Sequence, residues 1–283
     1  MNSRLIALID FSTYSHAIAE LAVRLAGIAQ AQLILVHQVP GLVPGMADGA
    51  SKKELIEVEK KEALEKLKNF IAEKNIDDGD VRYVVTESHL LTAIDDLIEE
   101  GFNDTILVGI KGTGLLRQML MGNTATSIIN EINSTVVAVP DKLCAVPNEF
   151  CNLLPKRLVV SLSYRFPLNE TGLDNFLTQF KTAITQIEFI SSIDDDDKED
   201  EGDRYLSSLA SKYSMNFKSS YTIFKGKKHF EQIKSYVQAA PNTILIVQKG
   251  SRDLTDLLFR SFLINDVVHD GSLPMVVLPN LDR

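Results

Sequence analysis

The sequence has few cysteines, no long apolar run and fewer basic than acidic residues. Its two cysteines, Cys144 and Cys151, provide neither a disulfide framework nor the spacing of a metal site. No apolar stretch reaches the roughly 18 residues that a membrane-spanning helix needs. The first residues lead into a strand that carries an acid and do not resemble a signal peptide. These absences predict a reduced, cytoplasmic protein without a membrane segment.

The shortage of basic residues excludes one class of partner. The chain has 29 Lys and Arg against 38 Asp and Glu, for a net charge of −9. This balance predicts no general affinity for nucleic-acid backbone or for anionic lipid. A phosphate-bearing ligand would therefore have to be held by local main-chain amides.

The 283 residues suit two domains of similar size. Apolar strand-like segments alternate with segments of helical periodicity in two successive passes. Each pass contains five strands, which predicts two tandem, doubly wound α/β domains with mainly parallel five-stranded sheets.

The two passes also begin and end alike, which indicates a tandem duplication. Arg4 and Arg157 open similar strands, and Thr-Val-Val-Ala-Val-Pro near the middle matches Pro-Met-Val-Val-Leu-Pro near the end. We predict a first domain at residues 1–141, a linker at 142–156 and a second domain at 157–283. Loss of periodicity and two prolines mark the linker.

Three glycines stand between a strand and a helix of the first pass. Gly109 and Gly112 follow the apolar segment Thr105–Val108, and Gly122 precedes an apolar helical segment. Glycine lets main-chain amides approach a ligand closely, and a helix start offers unpaired N–H groups to a phosphate. The segment lacks the Gly-Lys-Ser/Thr of a P-loop and the early Gly-x-Gly-x-x-Gly of a dinucleotide fold. It therefore predicts a different phosphate-binding loop.

Asp10 ends the first strand at the edge where open α/β sheets bind ligands. Its carboxylate could accept a hydrogen bond from a ribose hydroxyl, or hold Mg²⁺ beside phosphates. The alternative is that Asp10 caps the following helix together with Ser12. The two roles are compatible.

The spacing Gly-x2-Gly-x9-Gly after a strand resembles the nucleotide-binding signature of the universal stress protein family. Further segments resemble that family in the same order, namely Leu-Ile-Asp-Phe-Ser from position 8, Leu-Val-His from 35, Leu-Leu-Arg from 115 and Val-Val-Ala-Val-Pro from 136. The resemblance implies a tandem universal stress protein with the adenine-nucleotide alpha-hydrolase-like fold. It also implies that the two domains pair through their terminal strands as a pseudo-dimer within one chain, with a further homodimer as an option.

The resemblance further implies how the first half would hold an adenine nucleotide. The main chain at Gln38 would read the adenine edge, and the glycines would wrap the ribose and phosphates. Amides following the last glycine would meet the phosphates, with Asn123 replacing the usual Ser or Thr. The remaining implied contacts are Thr124 and two nearby cations, Lys111 and Arg117.

His37 lies beside this predicted site but does not indicate catalysis. The sequence places no carboxylate or nucleophile next to it, and a packed core histidine is the simpler interpretation. We therefore predict no catalytic residue.

The second half departs from the pattern at the corresponding positions. Alignment from the final proline places Gln248 where the first half has Gly109, and Ser163 where it has Asp10. Ser251 replaces Gly112, and Ser261 and Phe262 replace Gly122 and Asn123. These side chains would obstruct a bound phosphate, so we predict that this half binds no nucleotide.

Three functions fit these observations. The first is a regulatory protein of the stress response that binds ATP or AMP, with or without Mg²⁺, and changes its contact with an unidentified protein. The second is slow ATP hydrolysis at the same site, with Asp10 and a metal positioning water. The third is an interaction protein whose site is empty, motivated by Asn123.

One acidic segment, residues 194–203, lies outside these motifs. Its charges lack the alternating spacing of a calcium loop, so it is predicted to be a solvated, mobile loop, with weak cation binding as the alternative.

Overall fold

A computed structural model of the chain describes ten strands and seven helices. The described residues are 2–12, 15–39, 49–72, 81–110, 123–140, 156–193, 199–225, 229–239, 243–249 and 274–281. The strands are β1 Asn2–Leu8, β2 Gln32–Gln38, β3 Val81–Thr86, β4 Phe102–Ile110, β5 Thr135–Pro140, β6 Arg157–Ser161, β7 Gln186–Ile193, β8 Lys218–Lys225, β9 Thr243–Gln248 and β10 Met275–Leu278. The helices are α1 Ser15–Ala29, α2 Gly49–Ala72, α3 Leu90–Leu97, α4 Asn123–Glu131, α5 Glu170–Gln179, α6 Glu199–Tyr213 and α7 His229–Gln238.

All ten strands belong to one sheet, in the order β3-β2-β1-β4-β5-β10-β9-β6-β7-β8. The strands of the two halves are arranged alike. Counted from the outer edge of the sheet to the junction, each half has its third, second, first, fourth and fifth strand in that order. Neighbours within a half are parallel, as predicted. The mixed α/β fold is confirmed, but the two predicted sheets form a single continuous sheet.

The two halves join through their last strands. β5 and β10 pair antiparallel, with Val137 opposite Val276 and Val136 opposite Val277. Both strands are buried along their described length. Exposed apolar edges of this kind would favour aggregation, so each half covers the open edge of the other. The predicted pairing of the terminal strands is confirmed.

Helices cover both faces of the sheet because strand side chains alternate between the faces. One apolar cluster contains residues of α1, α2, α5 and α6, and it includes strand residues from both halves. A second cluster on the opposite face contains residues of α3, α4 and α7. The core of each face is therefore continuous across the junction of the halves. Among the described residues, no helix is long and apolar enough to span a membrane.

An arginine near the start of the first strand of each half is held by a carboxylate, but the carboxylates lie on different strands. Arg4 on β1 binds Asp104 on β4 through two contacts of 2.7 Å. Arg157 on β6 binds Glu188 on β7 at 2.6 Å. In the second half Thr243 occupies the register position of Asp104. Both pairs lie away from the carboxyl ends of the strands, where ligands bind in such sheets. We therefore assign them a role in the stability of the fold.

A polar cluster crosses the junction between the halves beside α5. The Gln179 side chain donates to the carbonyl oxygen of Asn103 at 2.7 Å and accepts from the Thr105 hydroxyl at 2.6 Å. The Asn103 side chain donates to the carbonyl oxygen of Asn175 at 2.9 Å. Gln179 is 5% exposed and Thr105 is 1% exposed. The end of α5 is thereby fixed to the start of β4.

Replacing Gln179 by Leu should lower the free energy of unfolding by about 2 kcal/mol, because it removes two hydrogen bonds and leaves the buried Thr105 hydroxyl without its partner. Urea unfolding followed by circular dichroism measures this loss. The control is Thr178→Leu, which changes an exposed neighbour on the same helix and should cost less than about 0.5 kcal/mol. Equal stabilities of the two variants would contradict the assignment.

Two predictions of local structure were wrong. Glu199 to Asp203, at the end of the acidic segment, form the first turns of α6 instead of a loop. Acidic side chains suit that position because a helix start carries partial positive charge. Gly109 lies inside β4, whose register continues to Ile110, and not in the loop after the strand.

Candidate functional site

The strand order creates a crevice at the carboxyl edge of the first half. The chain leaves β1 for β2 on one side and returns later to β4 on the other. In open α/β sheets ligands bind at such a switch in strand order, outside the carboxyl ends of the strands. The residues at this point are Asp10, after β1, and Gly109 and Ile110, at the end of β4.

Asp10 organises the turn from β1 to α1. Its Oδ1 atom accepts from the main-chain N–H of Ser12 at 2.9 Å and from the Ser15 hydroxyl at 2.7 Å. The Ser12 carbonyl oxygen accepts from the N–H of Ser15 at 3.0 Å. Asp10 therefore acts at the helix start, with Ser12 supplying main-chain groups. Asp10 is exposed at the crevice.

Phe11 adopts a backbone conformation that is unusual for a bulky residue. Its φ is 54°, in the left-handed region, which is a strained position for a side chain with a Cβ. Its ring packs against His37 at 4.3 Å and against Phe70 of α2 at 5.9 Å between ring centroids. Lys66 Nζ lies 5.8 Å from the same ring. These contacts offset the strain and fix the turn that presents Asp10.

His37 stabilises the same turn from the neighbouring strand. Its Nδ1 lies 2.7 Å from the Ile9 carbonyl oxygen, and because a carbonyl oxygen only accepts, Nδ1 carries the hydrogen. Burial lowers the pKa of His37 against the opposing effects of this hydrogen bond and of the Asp10 charge, and Lys66 lowers it further. The lowered pKa favours a neutral ring at neutral pH. In this geometry the His37 ring packs against Phe11 and holds the turn after β1. This agrees with the packed histidine that the sequence suggested.

Gln38 is the last residue of β2, half-buried and paired in register with Thr86 of β3. The next residue, Val39, donates its N–H to the Thr86 carbonyl oxygen at 2.8 Å. The main chain at this point is thus fixed from the β3 side.

The structure brings together only part of the predicted site. Asp10, Ser12, Gln38 and Gly109 lie at the carboxyl ends of three adjacent strands, β2, β1 and β4. Asn123 begins α4, and Thr124 follows it, but their side chains are not among those described. Lys111, Gly112, Arg117 and Gly122 lie outside the described residues.

At the equivalent position of the second half, side chains of the chain itself form hydrogen bonds at the carboxyl edge of the sheet. Gln248, at the end of β9, accepts from the N–H of Asn169 at 2.5 Å and donates to the Pro167 carbonyl oxygen at 3.1 Å. Ser163, which replaces Asp10, is buried. A carboxamide thus lies where the first half has a glycine, and it bonds the loop leading to α5.

Asn169 adds further contacts at this position and was not singled out by the sequence. Its Oδ1 accepts from the N–H of Gly172 at 2.8 Å and so caps α5. Its Nδ2 lies 3.1 Å from the carbonyl oxygen of Pro279 and 3.2 Å from that of Asn280. An Asn before an apolar helical segment is a helix-start signal. No comparable sequence signal predicts the contacts of Asn169 with Pro279 and Asn280.

Among the described residues, no three His, Cys, Asp or Glu side chains are grouped as a metal site would require.

Comparison with known proteins gives a family match to the first half of the chain. Residues 1–140 match the profile of the Universal stress protein family. No curated protein matches the chain.

Solved structures match over nearly the whole length. A universal stress protein from Archaeoglobus fulgidus DSM 4304 has a TM-score of 0.64 at 12% identity, with 98% of both chains covered. A functionally unknown protein from Pseudomonas aeruginosa PAO1 has a TM-score of 0.57 at 13% identity, with 98% of this chain and 92% of that chain covered. The cytoplasmic domain of a prokaryotic cation chloride cotransporter has a TM-score of 0.53 at 10% identity, with 99% and 96% covered. At these identities the structural matches show the fold alone.

Proposed function

Residues 1–140 make this chain a member of the universal stress protein family, and from that membership we propose a stress-response protein that binds one adenine nucleotide, ATP or AMP, in its first half. The nucleotide would change how the protein contacts an unidentified protein partner. Membership supports the stress-response role, and the nucleotide is the part that requires a test.

The contrast between the two crevices carries this proposal. In the first half, an exposed carboxylate and a glycine lie at the switch in strand order, as Asp10 and Gly109. In the second half, Gln248 and Asn169 bond across the equivalent position. A ligand there would have to break hydrogen bonds of partly buried groups, which is unfavourable. One site per chain follows from this difference.

Two features among the described residues support a nucleotide at this edge of the sheet. α4 begins at Asn123 after the glycine segment, and the positive end of its dipole would favour phosphate. Asp10 would accept from a ribose hydroxyl or, with the phosphates, hold Mg²⁺. The overall charge of −9 makes such local groups necessary.

Isothermal titration of the full chain with ATP and with AMP, each with and without Mg²⁺, tests the proposal. We expect one site per chain, and Asp10→Ala should weaken binding roughly 10-fold to 100-fold because a hydrogen bond to a charged group is lost. Asp95→Ala, an exposed carboxylate on α3, is the matched control and should bind as the natural chain does. Two sites, no binding, or an unaffected Asp10→Ala chain would reject the proposal.

A further inference from the structure

The order of elements along the carboxyl edge gives the direction in which a bound nucleotide would extend. The direction rests on the proposed function, the binding of an adenine nucleotide in the first half. α4, whose start would favour phosphate, follows β4 in the chain. β1, with Asp10, is the neighbour of β4, and β2, with Gln38, is the next strand. Because adjacent strands lie about 4.8 Å apart, β2 is about 10 Å from β4. With phosphates near α4 and the ribose at Asp10, the base would lie at the end of β2.

The main chain of Gln38 faces this position. In a parallel strand the N–H and C=O groups of successive residues point alternately to the two neighbouring strands. The Val36 carbonyl oxygen bonds Ile9, after β1, whereas the Val39 N–H bonds Thr86 on β3. Gln38 has the same parity as Val36, so its main-chain groups point toward β1, beyond the last paired residues of that strand.

The side chain of Gln38 lies on the same face of the sheet as α4. Ile34 and Val36 belong to the apolar cluster that contains α4 residues, and Gln38 continues that alternation. The residue is half-buried, and no described residue forms a hydrogen bond with its carboxamide. A half-buried carboxamide at the predicted position of the base thus retains its hydrogen-bonding capacity.

We propose that the Gln38 carboxamide contacts the base and makes the site prefer a 6-aminopurine to a 6-oxopurine. A carboxamide offers one donor group and one acceptor. The N6/N7 edge of adenine offers a donor and an acceptor, whereas the O6/N7 edge of guanine offers two acceptors. Glutamine therefore matches both positions of adenine but only one of guanine. An aliphatic side chain at the same position would form no hydrogen bond with either base.

Titration of ATP and GTP into the full-length protein and its Gln38→Leu variant tests this preference. We expect the natural chain to bind ATP at least tenfold more tightly than GTP. The variant should lose about tenfold in ATP affinity, equivalent to about 1.4 kcal/mol, with little change for GTP. The matched control is Gln32→Leu, the same substitution at the exposed start of β2. It should leave both affinities unchanged.

7-Deaza-ATP, which lacks the N7 acceptor, tests the edge itself. It should bind the natural chain more weakly than ATP, and the Gln38→Leu variant as tightly as ATP. An ATP to GTP ratio that is equal in the natural chain and the variant would overturn the proposal, as would an equal ratio of ATP to 7-deaza-ATP. In either case ATP binding would still support the proposed function. A natural chain that binds neither ATP nor GTP would overturn both.

Discussion

The Arg4→Met variant should lose about 3–5 kcal/mol of unfolding free energy, because it leaves the buried Asp104 carboxylate without its counter-ion. The Arg4 side chain is 2% exposed, as is that of Asp104. Arg4 also donates to the Leu97 carbonyl oxygen at 2.7 Å and lies 4.2 Å from the Phe102 ring. These contacts join β1, β4 and the end of α3. Urea unfolding measures the loss.

A double variant separates the uncompensated charge from the lost packing. Arg4→Met with Asp104→Leu should recover much of the stability, because replacing a buried ion pair by apolar residues is often neutral. Arg24→Met removes the exposed pair with Glu20, 3.2 Å apart, and should cost less than about 1 kcal/mol. A double variant less stable than Arg4→Met alone would show that the charge is not the cause.

Replacing Val276 by Lys should destabilise the chain by about 4 kcal/mol or more and separate the unfolding of the two halves. Val276 is 0% exposed, and it pairs with Val137 across the junction. Burying an ammonium group in the apolar core on this face of the sheet is costly, and the apolar contacts of Val276 are lost as well. Thermal unfolding by calorimetry should change from one transition to two, and the second half should unfold at the lower temperature.

Met215→Lys is the matched control for this substitution. Met215 is 88% exposed, in the turn between α6 and β8, so the same added charge should change stability by no more than about 0.5 kcal/mol. A single transition at the natural temperature in Val276→Lys would contradict a structural role for the junction. Aggregation of the variant, measured by light scattering, would agree with an exposed apolar strand edge.

The contrast between Arg4 and Arg157 shows how far a repeat can diverge while its strand order stays the same. Asp104 on β4 is replaced in the second half by Thr243, and the counter-ion comes from Glu188 on β7. Glu188 also accepts from the hydroxyls of Thr222 and Tyr236. The carboxylate that pairs with this arginine can therefore lie on a different strand in each half, as long as it reaches the guanidinium group.

Most strands and the internal repeat could be predicted from the sequence alone, because apolar periodicity depends on neighbours in the chain. The resemblance to the universal stress protein family implied that the terminal strands meet, and two apolar strand edges that need cover agree with it. The same reasoning identified Asp10, whose contacts with Ser12 and Ser15 are local. The glycine segment around Gly112 lies outside the described residues, and its role stays a prediction.

The hydrogen bonds at the carboxyl edge of the second half, and those that fix the two halves to each other, became visible in the folded chain alone. The Gln248–Asn169 contact joins residues 79 positions apart, and Thr105–Gln179 joins residues 74 apart. Such side-chain hydrogen bonds depend on the approach of distant segments, for which composition and periodicity give no signal. The sequence showed that a glycine had been replaced by glutamine, and the fold showed that this glutamine bonds the loop leading to α5.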